Sequence, residues 1–308
     1  ICLGQRIVVK PNMVSITKPL SATHADALDA VLQFIRERTD SEVTVAEGCA
    51  NADSMKGFET YGLAAVAHHY GARLVDLNLD QWVEVEVLDR DLRPITLRLA
   101  RTIAESDCRI SLTPMKTHDT VIVTLSLKNL VMGSLIREGR HDLERLTHVL
   151  SHWVRPRDAL YPRGFGWIVR HIIRSDKVAM HQSYASMNYN LFLIARLYPV
   201  HLAILDGFTA MEGRGPTEGK PVHLRLAVAS TDFIAADTVG TCIMGFQPEE
   251  VGYLHHARSA GLGVGNLDGI QIVGEPLEGC IRPFEPHPSY LRQKAWQGPG
   301  IETLRASL

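Results

Sequence analysis

The chain is short of cysteine, of long apolar runs and of any excess of one charge, and each shortage excludes a class of protein. Five cysteines (Cys2, Cys49, Cys108, Cys242 and Cys280) are spread over 308 residues without a Cys-x-x-Cys pair. An odd count at wide spacing disfavours both a disulfide framework and a cysteine-ligated zinc or iron–sulfur site. No iron–sulfur cluster is expected, and single buried thiols in a reducing, cytoplasmic setting are the plainer reading. No apolar stretch approaches the roughly 20 residues needed to cross a bilayer, so no membrane span is expected. The chain opens on Ile1-Cys2-Leu3-Gly4, with neither an initiator Met nor a basic-then-apolar leader, as expected of a trimmed chain.

Lys and Arg total 32 against 34 Asp and Glu, a net charge of -2. Nucleic-acid binders cluster their basic residues to displace counterions, and these are scattered, so no nucleic-acid partner is expected. The one local excess, Arg155, Arg157, Arg163, Arg170 and Arg174, is interleaved with Trp153, Tyr161 and Trp167. It reads as a solvated helix face or a clamp for an acidic ligand.

What is present is an alternation of strand and helix patterns. Arg6–Lys10 is a short β-branched run, and Leu28, Val31, Leu32 and Ile35 recur at helical spacing between about 24 and 38, with Thr23 as the N-cap. Strands follow at 42–46, 73–77 and 108–112, with a helix over 58–70 closed by Gly71 and an antiparallel hairpin over 82–98. This order predicts an α/β fold, a mostly parallel sheet flanked by helices. The second half is less regular. Val121–Leu127 reads as a further β-branched run, 141–153 as a helix, 201–205 as a strand, 208–221 as a glycine-rich loop, 231–244 and 249–259 as helices and 270–273 as a late strand. Residues 1–275 are expected to form one α/β domain, with 155–199 as a helical lid or partner surface and 276–308 as a tail.

Ligands in parallel α/β sheets bind beyond the carboxyl ends of the strands. Here those ends are polar. Lys116, His118, Lys128 and Asn129 supply cationic charge, amide hydrogen bonds and one group that titrates near neutrality, a set suited to an anion. Asp206 closes an apolar strand, and Glu212-Gly213-Arg214-Gly215 follows. That glycine pair fits neither the dinucleotide fingerprint nor a phosphate-binding Gly-Lys-Ser/Thr loop. His148 and His152 share a helix face without the Glu of His-Glu-x-x-His. Asp232 reads as a helix cap. Asp237, on a mostly apolar helix, needs a partner.

The ordered set Val9-Lys10-Pro11-Asn12, Val75-Asp76-Leu77-Asn78, Pro114-Met115-Lys116-Thr117-His118, Ser126-Leu127-Lys128-Asn129, Asp206-Gly207, Met211-Glu212-Gly213-x-Gly215-Pro216-x-x-Gly219 and Ala229-Ser230-x-Asp232 resembles the domain of unknown function 362 family, from Ile7 to about Glu275. The resemblance implies an α/β fold akin to the amino-terminal part of lactate racemase-like proteins. Many members of the family carry a ferredoxin-like module with two sets of cysteines, which this sequence lacks.

Strand-end rule and resemblance together predict one cleft. Lys116, His118, Lys128 and Asp206 are its candidate catalytic residues. Lys10, Asn12, Asp76, Asn129, His141, Glu212, Gly213 and Gly215 are its candidate ligand contacts. Asp76 and Asp206 are candidate ligands for a divalent cation, magnesium or manganese. The leading expectation is an enzyme acting on an anionic small molecule or cofactor precursor. The alternative is a non-catalytic ligand-binding or redox-accessory protein, docked through 155–199. A homo-oligomer or a separate redox partner is compatible with either.

Overall fold

The computed structural model describes residues 3–50, 52–138 and 175–297. In chain order its principal elements are β1 (Arg6–Lys10), α1 (Ala25–Arg36), β2 (Glu42–Glu47), α2 (Ser54–Thr60), α3 (Leu63–His69), β3 (Arg73–Asp76), β4 (Trp82–Leu88), β5 (Pro94–Ala100), α4 (Arg101–Ala104), β6 (Cys108–Thr117), β7 (Val123–Thr124), α5 (Ser126–Ser134), α6 (Asp176–Met180), α7 (Tyr184–Leu197), β8 (Leu202–Glu212), β9 (Lys220–Val222), β10 (Ala227–Ser230), α8 (Phe233–Ile243) and α9 (Gly252–Ser259).

The main sheet has eight strands in the path β10-β8-β6-β1-β2-β3, with β7 paired to β6 and β9 to β8. The run from β8 to β3 is parallel, and β10 is antiparallel to β8. The fold is thus α/β, mostly parallel and flanked by helices. The 82–98 alternation forms a separate antiparallel pair, β4–β5, as its pattern predicts.

Alternation along β1 assigns its side chains to two cores. Ile7 and Val9 join Leu28, Leu32, Ile35, Phe58 and Leu63 of α1–α3 on one face. Val8 joins the hairpin and α5, α7, α8 and α9 on the other. Burying each Leu or Ile of the α1 stripe contributes about 1.5–3 kcal/mol, so packing, more than intrinsic propensity, holds this helix. By the same alternation Lys10 faces α5, which determines its role below.

Several elements differ from the sequence patterns. His24, not Thr23, caps α1, its Nδ1 accepting from Asp26 N at 3.2 Å. Thr23 instead accepts from Asn12 N at 2.8 Å and donates to Leu112 O at 3.1 Å, linking the loop after β1 to β6. The 58–70 helix is two helices, interrupted at Gly62 with φ +73°. The Val121–Leu127 run is only a two-residue strand before α5 begins, so Lys128 and Asn129 lie on a helix. Asp206 sits in the middle of β8, which continues through the expected loop to Glu212. No strand forms at 270–273. Of the 155–199 segment, the described part includes α7, whose residues are mostly buried in the core. His141, His148, His152 and the arginine-rich stretch lie outside the described residues.

Candidate active site

β1, β2 and β6 end side by side, and α5 starts above them. Four lysines are buried here: Lys10, Lys116, Lys128 and Lys177, each at most 7% exposed. Glu47, at the end of β2, accepts from Lys10 Nζ at 2.7 Å. Lys10 also donates to Asn129 Oδ1 at 2.9 Å and Pro11 O at 3.0 Å, so this ammonium is fully occupied.

Asn129 is the hub. Its Oδ1 accepts from Lys10 and from Asn12 Nδ2 at 2.9 Å, and its Nδ2 donates to Lys10 O at 3.1 Å and Ser111 Oγ at 3.0 Å. The amide is saturated, which sets its orientation and joins α5 to β1 and β6. Lys116 donates to Asn12 Oδ1 and to Ser21 O, closing the loop 12–22 over the strand end. Lys177 donates to three carbonyls at the end of α5: Met132, Gly133 and Leu135. Gly133 is required by this crowding: a Cβ there would lie 2.2 Å from Lys10 Cε and 2.6 Å from Glu47 Oε1.

Lys128 differs from the other three. Among the described residues, no hydrogen bond or ion pair reaches its Nζ, although the residue is only 7% exposed. Burial pushes its pKa down to about 8, with Asp119 and Glu47 opposing and Lys10 reinforcing the shift. Lys177 is likewise lowered to about 8 by burial. Burial also holds Lys116 well below the usual lysine range, and the nearby Lys128 charge adds to the effect.

His118 follows β6 in a tight turn, its N–H bonded to Ile122 O at 2.8 Å. Nδ1 faces two groups, accepting the Thr120 N–H at 3.0 Å and lying 3.2 Å from Asp119 Oδ1. The Thr120 bond defines a neutral ring with its proton on Nε2. Burial, then repulsion from Lys128, holds the pKa well below the ordinary histidine value, while Asp119 works in the other direction. His181 stacks on the ring at a centroid distance of 6.3 Å.

α5 opens without a side-chain cap of its own. Asp237 of α8 supplies one, accepting from Ser126 N at 2.8 Å, Ser126 Oγ at 2.5 Å and Leu127 N at 3.1 Å, with Tyr253 OH at 3.2 Å. This is the partner that its apolar helix required. Burial nevertheless raises the carboxyl to about 6. Asp232 caps α8 as its position predicts, accepting from Ile234 N and Ala235 N at 3.0 Å.

The structure brings together Lys10, Asn12, Lys116, His118, Lys128 and Asn129, and leaves other candidates elsewhere. Asp76 accepts from Asn78 N at 2.9 Å and Ser54 N at 3.2 Å, organising the turn after β3. Asp206 accepts from Phe208 N at 2.9 Å on β8. Three strands separate β3 from β8, roughly 19 Å at the usual inter-strand spacing, so Asp76 and Asp206 cannot ligate one ion. Among the described residues, no group of three His, Cys, Asp or Glu side chains could hold a metal. Glu212 accepts from Glu285 N at 2.8 Å. Gly213 and Gly215 pack on Thr117: Thr117 Oγ1 donates to Gly213 O at 3.0 Å, and a Cβ on Gly215 would fall 2.0 Å from Thr117 O. They support the end of β6. Sequence reasoning missed Glu47, Asp119, Lys177, His181 and Gln293. The strand-end rule does mark Glu47, which closes β2, although Glu47 is not among the candidates above, and nothing in the local pattern marks the others.

A helix-flanked parallel sheet with a polar cluster at its carboxyl edge defines a class of α/β protein. Within it, the chain belongs to the family described as Domain of unknown function (DUF362), whose model matches residues 7–242. A thylakoid-associated protein of Synechocystis sp. is 25% identical over 262 residues, covering 80% of this chain. The chain spans 65% of that relative's length. The lactate racemase apoprotein from Thermoanaerobacterium thermosaccharolyticum aligns over 77% of this chain and 48% of its own, at 12% identity and a TM-score of 0.41. Among the described residues, no helix is long and apolar enough to cross a membrane.

Proposed function

We propose that the protein is an enzyme acting on an anionic small molecule, bound where β1 and β6 end beneath the first turn of α5. The observation that carries this reading is Lys128, only 7% exposed as a residue, whose Nζ has no hydrogen-bond acceptor among the described residues, in a cluster where, among those residues, Glu47 is the carboxylate bonded to a lysine. A buried charge is costly unless paired, and a ligand oxyanion is the missing partner. The α5 N-terminus is not the anion site, because Asp237 already occupies its amides.

His118 supplies proton chemistry. Neutral, it accepts from Thr120; protonated, its Nδ1–H finds Asp119 Oδ1 in reach. An anion on Lys128 cancels the repulsion that opposes ring protonation, so binding and proton uptake are coupled. Lys128 then stabilises negative charge on the ligand while His118 holds or returns a proton. Lys10, Asn12, Lys116 and Asn129 build the floor and keep Lys128 in place.

Calorimetric titration of the full chain with sulfate and with oxalate tests this. Binding of either, lost in Lys128→Met with the fold intact, is the expected outcome. Absence of binding by both to the unaltered protein, or equal binding by the variant, would refute it.

A further inference from the structure

We infer that Gln293, in the C-terminal segment beyond the family match, is a positioning residue for His118. The family model ends at residue 242, and the segment after about 276 reads from sequence as a tail. The structure packs part of that segment onto the turn that presents His118. Gln293 is 1% exposed and bonds the turn at both ends. Its Nε2 donates to His118 O at 2.8 Å, and its Oε1 accepts from Ile122 N. Ser289 Oγ donates to Asp119 O at 2.8 Å and accepts from Gln293 Nε2 at 2.9 Å. Three successive parts of the turn are thereby held from one short helix.

The turn needs holding. Ile122 has φ +66°, a conformation that a β-branched side chain rarely adopts. Such backbone persists only where its surroundings over-determine it. Without the Gln293 amide, Ile122 N and His118 O lose their partners, and the turn can relax towards ordinary extended backbone. The ring would then shift relative to the groups that set its charge. Those groups are Lys128 on α5, Asp119 in the turn, His181 after α6 and His287 in the C-terminal segment. The clamp therefore fixes both where the imidazole sits and which groups it faces.

This inference rests on the anion-site reading for its meaning, but its test does not. The full chain, labelled at histidine nitrogens, is titrated by NMR, with His118 assigned through His118→Gln. Gln293→Met keeps the volume and deletes all three side-chain hydrogen bonds of Gln293. In this variant ring protonation is expected to begin at higher pH than in the unaltered protein, because a released ring gains water. Sulfate affinity is expected to fall about tenfold, as the displaced ring loses one hydrogen bond to the anion beside Lys128. Leu291→Ala, on the same short helix but 78% exposed, should leave both readouts unchanged. A His118 titration that overlays the unaltered one, with only the melting temperature lowered, would make Gln293 purely structural and overturn the inference. Should Gln293→Met not fold, Ser289→Ala loosens the same turn and should move the titration in the same direction; an overlay there also overturns it. If sulfate binds neither protein, the anion reading falls, while the histidine titration still decides the role of Gln293.

Discussion

Replacing Lys128 with Met should make the protein more stable and unable to bind its ligand. The magnitude follows from the site. A lysine lowered from 10.5 to about 8 carries roughly 2.5 × 1.36, or about 3 kcal/mol, of unfavourable free energy in its charged folded form. The sign follows from proton binding. Between pH 8 and 10.5 the unfolded chain binds more protons than the folded one, so stability rises with pH across that window, and the cost is full below it. Met recovers most of this at pH 7 with a similar side-chain volume. For a chain of 308 residues, with about 2.1 cal/mol/K of unfolding entropy per residue, 3 kcal/mol raises Tm by about 5 °C. Differential scanning calorimetry at pH 7 and pH 10.5 reads the effect, and the gain should shrink towards zero at the higher pH. A fall in Tm at pH 7 would show that Lys128 has an internal partner, and would remove the basis for a ligand oxyanion.

Three further outcomes are expected. Sulfate keeps its charge across the working range, so its affinity should fall as Lys128 loses its proton above about 8 and rise as pH drops towards 6, where binding draws a proton onto His118; calorimetry over pH 6–9.5 checks this. Asp237→Ala strips the cap from α5 and leaves Ser126 N and Leu127 N buried and unpaired, costing about 3 kcal/mol in urea denaturation, whereas an effect below about 1 kcal/mol would show that water or another acceptor takes over. Gly133→Ala drives a methyl into the Lys10–Glu47 pair and should cost at least about 3 kcal/mol, or prevent folding, by circular dichroism melting.

The parts of the fold that local pattern could reach were those whose cause is local. The 3.6-residue stripe of α1 and the period-2 runs of the hairpin each bury one face, and β1 and β2 are β-branched runs buried on both, so local pattern reveals them. The start of α5 was hidden because its cap, Asp237, lies 111 residues later in the chain. Val121–Leu127 therefore looked like a strand. The same distinction divides the site. Lys10, Asn12, Lys116 and His118 lie at or just beyond strand ends, where topology concentrates ligands, and were legible on that rule. Asp76 and Asp206 satisfy the same pattern yet serve local turns on strands too far apart to cooperate. The saturation of Asn129, the isolation of Lys128 and the clamp from Gln293 depend on which side chains meet in three dimensions, and no spacing encodes that.

The Asp237 cap on α5 has a consequence for how the site can change. Many phosphate sites draw on main-chain amides at a helix start, a resource that substitution cannot remove and pH cannot switch off. Here that resource serves the architecture, and on the proposed anion-site reading recognition is left to side-chain ammonium and imidazole groups. Selectivity can therefore drift by single codon changes at Lys128 or His118 without disturbing the backbone beneath. A common scaffold of this kind could host different ligands in different members of its family, each tuned to the acidity of its own surroundings.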